Sequence, residues 1–167
     1  TIPKAKRYLK AGKKARARWA QVLGKASQLR VGLSWSGAIS HRLDPIRVIA
    51  LDELIRYLPP GLEYISLQKE VRASDEEALK KSSIRDFRDR LTDFSETAAL
   101  IDQLDLVVSI DTSVAHLAGA LGKTAWVMLS FAADWRWLLD REDSPWYPSL
   151  RLIRQNDDRR WGSVLER

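Results

Sequence analysis

The sequence contains no cysteine and only two histidines, His41 and His116. Without cysteine the chain can form no disulfide, no thiol nucleophile and no thiolate metal site. Two histidines are also too few for a histidine-rich metal centre, so we expect neither a bound metal nor a resident cofactor. The lack of cysteine is typical of proteins in a reducing compartment, and a cytoplasmic location is the expectation.

Long hydrophobic runs are missing as well, and no stretch of the 167 residues has the length of a membrane span. The sequence has neither a signal-peptide pattern nor an initiator methionine, so we expect its first residue to lie inside a longer chain. The length suits one core of ordinary size, whereas two cores would be cramped.

Acidic residues are absent from the first thirty positions, which hold ten Lys or Arg. The other 137 residues carry 18 basic and 22 acidic side chains, so the basicity belongs to one segment. Apolar residues at helical spacing predict a helix over residues 4–26. Such a helix could bind phosphate-rich partners such as nucleic acid, or could be a solvated helix that links this domain to a preceding one. We favour a linking helix over residues 1–27, because no aromatic side chains are interleaved to stack on bases.

Beyond residue 27, short apolar runs alternate with helical patterns. Strands are predicted at residues 30–35, 62–67, 106–110, 124–129 and 150–155. Helices are predicted at residues 51–58, 75–81, 96–104 and 112–121, with Ser95 as the N-cap of the third and a closing helical turn at 161–166. This alternation predicts one α/β domain over residues 28–167, with a Rossmann-like, mostly parallel sheet and helices on both faces.

The most informative stretch is the buried strand 106–110, the polar turn after it and the helix that Gly122 ends. Ligands, phosphates above all, bind where a parallel strand meets a helix N-terminus. Thr112, Ser113 and His116 share one face of this helix and could cradle a diphosphate, with Asp111 holding a sugar hydroxyl. Alternatively, Asp111 and Ser113 only cap the helix and His116 is an ordinary satisfied histidine. Spacing alone does not separate these interpretations.

Two other strands also end in polar residues. Ser36, Gly37 and Arg42 follow the first strand, where backbone N–H groups and a guanidinium can meet a diphosphate. Gln68 follows the second strand. No nucleophile elbow, P-loop or dinucleotide fingerprint is present, which disfavours hydrolases, P-loop NTPases and standard dinucleotide enzymes. A phosphate site without a nucleophile favours group transfer from an activated donor.

Residues 134–148 contain four aromatic side chains and two prolines. This composition predicts a packed, irregular lid. The aromatic rings could stack on a sugar or a base, but we favour burial against the domain.

Several stretches together resemble a known family. They are residues 31–37, 66–69, 91–94, 105–123 and 134–137, and the Asp-Thr-x-x-x-His pattern of residues 111–116 is the most specific part. Residues 28–167 are similar to the C-terminal region of bacterial tetratricopeptide-repeat proteins related to glycosyltransferase family nine, the heptosyltransferases. A more distant likeness is to the O-linked N-acetylglucosamine transferases.

The resemblance implies the C-terminal half of a B-type glycosyltransferase fold, which holds a nucleotide-sugar donor. By motif, Thr112 and Ser113 would meet the diphosphate, with Asp111 and His116 lining the same pocket. The remaining implied donor-site residues are Ser36, Gly37 and Arg42 in the first phosphate loop and Gln68 near the nucleoside ribose.

In such transferases the catalytic base comes from the N-terminal domain. We therefore expect this chain to bind a donor weakly or not at all by itself and not to turn over, so whether it is an enzyme is left open. Its expected partners are a nucleotide-sugar donor, an unidentified acceptor, and the N-terminal domain and tetratricopeptide repeats of a longer chain. Two rival functions remain: a non-catalytic ligand-binding or scaffold domain of a repeat protein, and a nucleic-acid-binding module.

Overall fold

The computed structural model describes residues 7–38 and 44–167 of the chain. Within these residues, five parallel strands form one sheet, and the predicted α/β fold is confirmed. The strands are β1 (Arg30–Ser34), β2 (Glu63–Ser66), β3 (Leu106–Ile110), β4 (Ala125–Leu129) and β5 (Leu150–Arg154). The helices are α1 (Lys13–Leu23), α2 (Asp44–Arg47), α3 (Leu51–Arg56), α4 (Glu76–Lys81), α5 (Phe94–Asp102), α6 (Ser113–Ala120) and α7 (Gly162–Leu165). Short 3₁₀ turns lie at Arg88–Arg90 and Trp135–Trp137.

The strand order, β2-β1-β3-β4-β5, creates a switch point between β1 and β3. The chain leaves β1 toward β2 on one side and later returns to β3 on the other. These two strands pair in register from Val31 with Leu106 to Ser34 with Ser109. Because the connections leave in opposite directions, a crevice opens beyond their carboxyl ends, where open α/β sheets bind ligands.

Apolar side chains cover both faces of the sheet. On one face, α1, α5 and α6 bury a cluster that includes Trp19, Leu100 and Ala115. On the other face, α3 and α7 pack over a cluster that includes Leu54 and Val164. Burial on both sides explains why the strands are nearly continuous apolar runs.

The N-terminal helix is shorter than the pattern predicts, because α1 starts at Lys13 and not at residue 4. Gly12 is the extended N-cap, and the backbone N–H groups of Tyr8 and Leu9 donate to the Ala120 carbonyl, each at 3.0 Å. Trp19 is buried in the domain core, and its indole N–H donates to Glu96 at 2.9 Å. The helix is therefore packed on the α/β domain; whether residues 1–27 also link it to another domain stays a prediction.

The start of α5 also differs from the expectation. Asp93, not Ser95, is the N-cap, and its carboxylate accepts a 2.9 Å hydrogen bond from the Glu96 N–H. The end of the following helix agrees with the prediction, since Gly122 has a φ of 66°. Among the described residues, no helix is both long and apolar enough to cross a membrane.

Candidate functional site

A cleft of about 650 Å³ lies at the carboxyl ends of β1, β2 and β3, beside the start of α6. Seven of the eight predicted site residues line it: Ser36, Gly37, Gln68, Asp111, Thr112, Ser113 and His116. The eighth, Arg42, lies outside the described residues. The tertiary structure thus brings together side chains that are up to eighty positions apart in the sequence; their contact with a ligand stays a prediction.

The start of α6 forms one wall of the cleft. Thr112 is the N-cap in extended backbone, and its hydroxyl lies 3.1 Å from Ser109 Oγ without capping the helix. Ser113 is exposed at the first helical position. No described residue accepts the backbone N–H of Ser113 or Val114. Unsatisfied N–H groups and the positive end of a helix attract anions.

Asp111 lies just before this N-cap and is buried. Arg47, from α2, donates to the Asp111 carbonyl at 2.9 Å and lies 3.7 Å from its carboxylate. The Nε2 atom of His116 is 4.0 Å from the same carboxylate. Asp111 is therefore paired with cationic and imidazole groups and is not the cap of α6.

His116 is held on two sides by aromatic residues. Its Nδ1 lies 3.1 Å from the Tyr147 hydroxyl, and its ring stacks on Trp137 at 5.0 Å between centroids with 20° between planes. Burial lowers the pKa of His116 below its ordinary value, and Arg136 lowers it further, against the raising effect of Asp111. The imidazole is accordingly neutral at neutral pH.

Gln68 ties the ends of β1 and β2 together. Its side-chain oxygen accepts from the Ser34 hydroxyl at 2.9 Å, and its amide nitrogen donates to Ser36 Oγ at 2.6 Å and to the Glu70 carbonyl at 3.1 Å. Both amide hydrogens are thus used within the domain. Gln68 shapes the first loop, and its implied place near a ribose stays a prediction.

Three cations at the cleft were not among the predicted site residues: Arg47, Lys69 and Arg136. Lys69 directly follows Gln68, and Arg136 belongs to the stretch 134–137 that carries part of the resemblance, so both had a sequence signal. Arg47 had none, because only the fold returns α2 to the end of β3. Arg136 donates to Asp134 at 2.8 Å, and its guanidinium lies 4.7 Å above the Trp135 ring.

The aromatic segment 134–148 is partly buried against the domain, which is the arrangement that the sequence favours, and partly exposed. Trp137 is completely buried beneath His116, whereas Trp135 is 66% exposed and Trp146 donates to the Arg136 carbonyl at 2.7 Å. Phe94 is also 60% exposed and lines the cleft.

In the part of the chain that the structure describes, no group of three or more histidine or carboxylate side chains could hold a metal ion. The cleft is thus equipped to bind an anion next to apolar rings.

Comparison with known proteins finds a similarity to glycosyltransferase family 9 over part of the chain. The sequence model of glycosyltransferase family 9 (heptosyltransferase) matches residues 90–163, which include β3, α6, β4 and the aromatic segment. Protein FlbA of Caulobacter vibrioides is 30% identical over 162 residues, which are 91% of this chain and 26% of FlbA. The chain therefore spans about a quarter of this curated relative.

Two solved structures have a similar fold. The glycosyl transferase family 9 of Veillonella parvula has a TM-score of 0.61 and 10% identity, with 90% of this chain and 43% of that one covered. The ADP-heptose LPS heptosyltransferase II of E. coli has a TM-score of 0.51 and 15% identity, with 89% and 45% covered. At these identities the likeness shows the fold, and the chain spans less than half of each transferase.

Proposed function

We propose that this chain is the donor-binding half of a glycosyltransferase and that its cleft takes a nucleotide diphosphate sugar. One observation carries the proposal: the predicted phosphate residues meet the α6 N-terminus at the β1/β3 switch point. The diphosphate would accept hydrogen bonds from the N–H groups of Ser113 and Val114 and from the hydroxyls of Thr112 and Ser113. Arg47 and Arg136 would add positive charge.

The match to family 9 and the two similar transferases support the transferase class. Because this chain spans less than half of those transferases, we assign the catalytic base and the acceptor site to a missing N-terminal half. Sugar transfer by this chain alone would contradict that assignment. Tetratricopeptide repeats in the longer protein and a cytoplasmic location belong to the same proposal.

The rival is a non-catalytic scaffold domain that keeps the fold. Titration calorimetry with ADP and UDP separates the two functions, on this chain and on the longer protein that contains it. ADP is tested first, because the E. coli protein of similar fold is described as an ADP-heptose heptosyltransferase. We expect saturable binding by the longer protein, without an added metal ion, and weak or no binding by this chain alone.

The double variant Thr112→Val with Ser113→Ala should weaken binding at least about tenfold, because each hydrogen bond to a charged group contributes about 1.5 kcal/mol or more. The matched control is Thr124→Val with Ser163→Ala, which removes the same atoms away from the cleft. Nucleotide binding that is unchanged in the cleft variant, or absent from the longer protein, favours the scaffold.

The nucleic-acid alternative rests on the basic N-terminal segment. In α1, Arg16 is paired with Asp102 at 2.6 Å and Arg18 with Glu96, so part of its positive charge is used within the domain. Oligonucleotide binding that disappears when Lys10, Lys13 and Lys14 are replaced by Gln would revive that alternative.

A further inference from the structure

Tyr147 comes from the loop before β5 and contacts His116. Its ring packs directly on α6 at Gly119, where an added Cβ would lie 2.4 Å from Tyr147 Cγ and 2.8 Å from its Cβ. Only glycine leaves room for this approach. The ring also lies edge-on to His116, with 5.7 Å between centroids. The fold therefore places the Tyr147 hydroxyl at one definite point beside the imidazole.

Two hydroxyl groups and one carboxylate group lie along this line. The Tyr8 hydroxyl is 3.5 Å from the Tyr147 hydroxyl, which is 3.1 Å from His116 Nδ1. On the other side of the ring, Nε2 lies 4.0 Å from the Asp111 carboxylate. A neutral imidazole carries one proton, so either Nδ1 or Nε2 is the donor, and the other nitrogen is an acceptor.

The Asp111 carboxylate indicates which tautomer the Tyr147 hydroxyl meets. With the proton on Nδ1, the lone pair of Nε2 would face the negative oxygen of Asp111 and the anion site. With the proton on Nε2, that N–H faces the carboxylate favourably, and Nδ1 accepts from the Tyr147 O–H.

We propose that Tyr147 is a positioning residue whose phenol donates to His116 Nδ1 and so keeps the proton of the neutral ring on Nε2, facing the diphosphate site. The inference rests on the proposed function for its ligand, but the tautomer is a property of the free protein. Gly119 contributes by admitting the tyrosine ring. Tyr8 completes the line by donating to the Tyr147 oxygen.

The charged and titratable groups around His116 are consistent with a neutral ring. Asp111 faces it from the end of β3, Asp134 and Arg136 face it from the 3₁₀ segment, and Tyr147 faces it from the loop before β5. Burial lowers the pKa of His116 and raises that of Tyr147, so both side chains stay uncharged at neutral pH.

Nitrogen NMR of the imidazole ring tests the inference without any ligand. A His41→Gln background leaves a single histidine signal. We expect the neutral wild-type ring to carry its proton on Nε2 and none on Nδ1; a protonated Nδ1 would overturn the proposal. Tyr147→Phe should shift the tautomer balance toward Nδ1–H and raise the pKa of His116, because the neutral ring loses its donor. Unchanged ring shifts and an unchanged pKa in this variant would also overturn it.

Ligand affinity gives a second readout. The Tyr147→Phe variant should bind ADP-glucose about threefold more weakly at pH 8. The affinity falls because a smaller fraction of the molecules carries the imidazole proton on Nε2. The loss should disappear at acidic pH, where the imidazolium carries a proton on both nitrogens. A merely structural role would weaken binding equally at both pH values.

The matched control is Tyr64→Phe, which removes a hydroxyl bonded to the Pro59 carbonyl on the other face of the sheet. This variant should leave the His116 signals and the affinity unchanged. If none of ADP-glucose, ADP and UDP binds the longer protein that contains this chain, the proposed function fails, and the NMR result alone decides the role of Tyr147.

Discussion

At the edge of the sheet formed by the amino-terminal ends of the strands, charged side chains pair with one another inside the domain. At the opposite edge, formed by the carboxyl-terminal ends, they line an open cleft. The amino-edge cluster consists of Arg30, Glu63, Arg85 and Asp105. Arg30 is buried and donates to Glu63 at 2.8 Å and to the Gly24 carbonyl at 2.8 Å, while Asp105 accepts from its backbone N–H at 2.8 Å. Burial opposes ionisation of Glu63, but hydrogen bonds from Arg30 and Arg85 hold its pKa below the ordinary value.

The cleft uses similar residues differently. Arg47 and Asp111 are paired there, but Arg136 is about half exposed, Lys69 is exposed, and the N–H groups at the start of α6 meet no described acceptor. Charges that are fully matched at one edge stabilise the fold, and charges left accessible at the other can bind a ligand. The comparison teaches that a cationic side chain marks a site only where the fold leaves it accessible to a ligand.

The largest effect is expected at the amino-edge cluster. Arg30→Met should lower the free energy of unfolding by about 3 kcal/mol, because it removes one of the two guanidinium groups paired with Glu63 and the donor to the Leu23 and Gly24 carbonyls. Urea denaturation measures the change. The control is Arg56→Met, since Arg56 is 71% exposed and pairs with Asp52 within one helix; its loss should cost less than about 0.5 kcal/mol. Equal effects of the two variants would contradict the comparison.

A somewhat smaller effect is expected behind the cleft. Gly119→Ala should cost about 2 kcal/mol, because the new methyl group overlaps the Tyr147 ring and the helix must shift. The matched control is Gly12→Ala, where nothing lies within 4 Å of the added Cβ and the backbone φ is −63°. Thermal unfolding compares the two. A neutral Gly119→Ala would show that the Tyr147 contact is easily relieved.

At the open edge, substitution should change binding and leave stability nearly intact. Arg136→Met should cost no more than about 0.5 kcal/mol, because its pair with Asp134 is local and nearly half exposed. Nucleotide affinity, measured by calorimetry, should fall. A stability loss as large as that of Arg30→Met would remove the distinction between the edges.

The smallest effect is a dependence of stability on pH. The pKa of His116 is lowered in the folded state, so at acidic pH the unfolded chain binds the extra proton more readily. The stabilising contribution is present above about pH 6.5, the ordinary histidine value, and is lost as the pH falls through the folded pKa. Denaturation at several pH values should show a flatter profile for His116→Gln. An identical dependence of the free energy of unfolding on pH in both proteins would contradict the lowered pKa of His116.

Much of the fold was predictable because it depends on local patterns. Continuous apolar runs locate the five strands to within about one residue. The turn after β3 predicts that the next helix starts at residue 112, and α6 starts one residue later, at Ser113. The helix starts were predicted less well. Ser95 and Asp93 are both good N-caps by type, and only the geometry at α5 selects Asp93.

The arrangement of the cleft residues could be predicted from the sequence only for residues that are close to one another along the chain. Thr112, Ser113 and His116 share a helix face at fixed spacing, so their approach to one another follows from helical geometry. Tyr147 and Arg47 could not be found in this way, because they reach His116 and Asp111 from loops and helices 31 and 64 residues distant.

The sequence by itself determined the alternation of strands and helices, the polar turn at residues 111–113 and the apolar nature of both sheet faces. These features depend on side-chain type and spacing, which act over a few residues. Only the tertiary structure decided which charges are buried, which partners the side-chain amide of Gln68 bonds and which groups surround His116. Such properties depend on how distant segments pack, and burial and pairing are set by that packing and not by residue type.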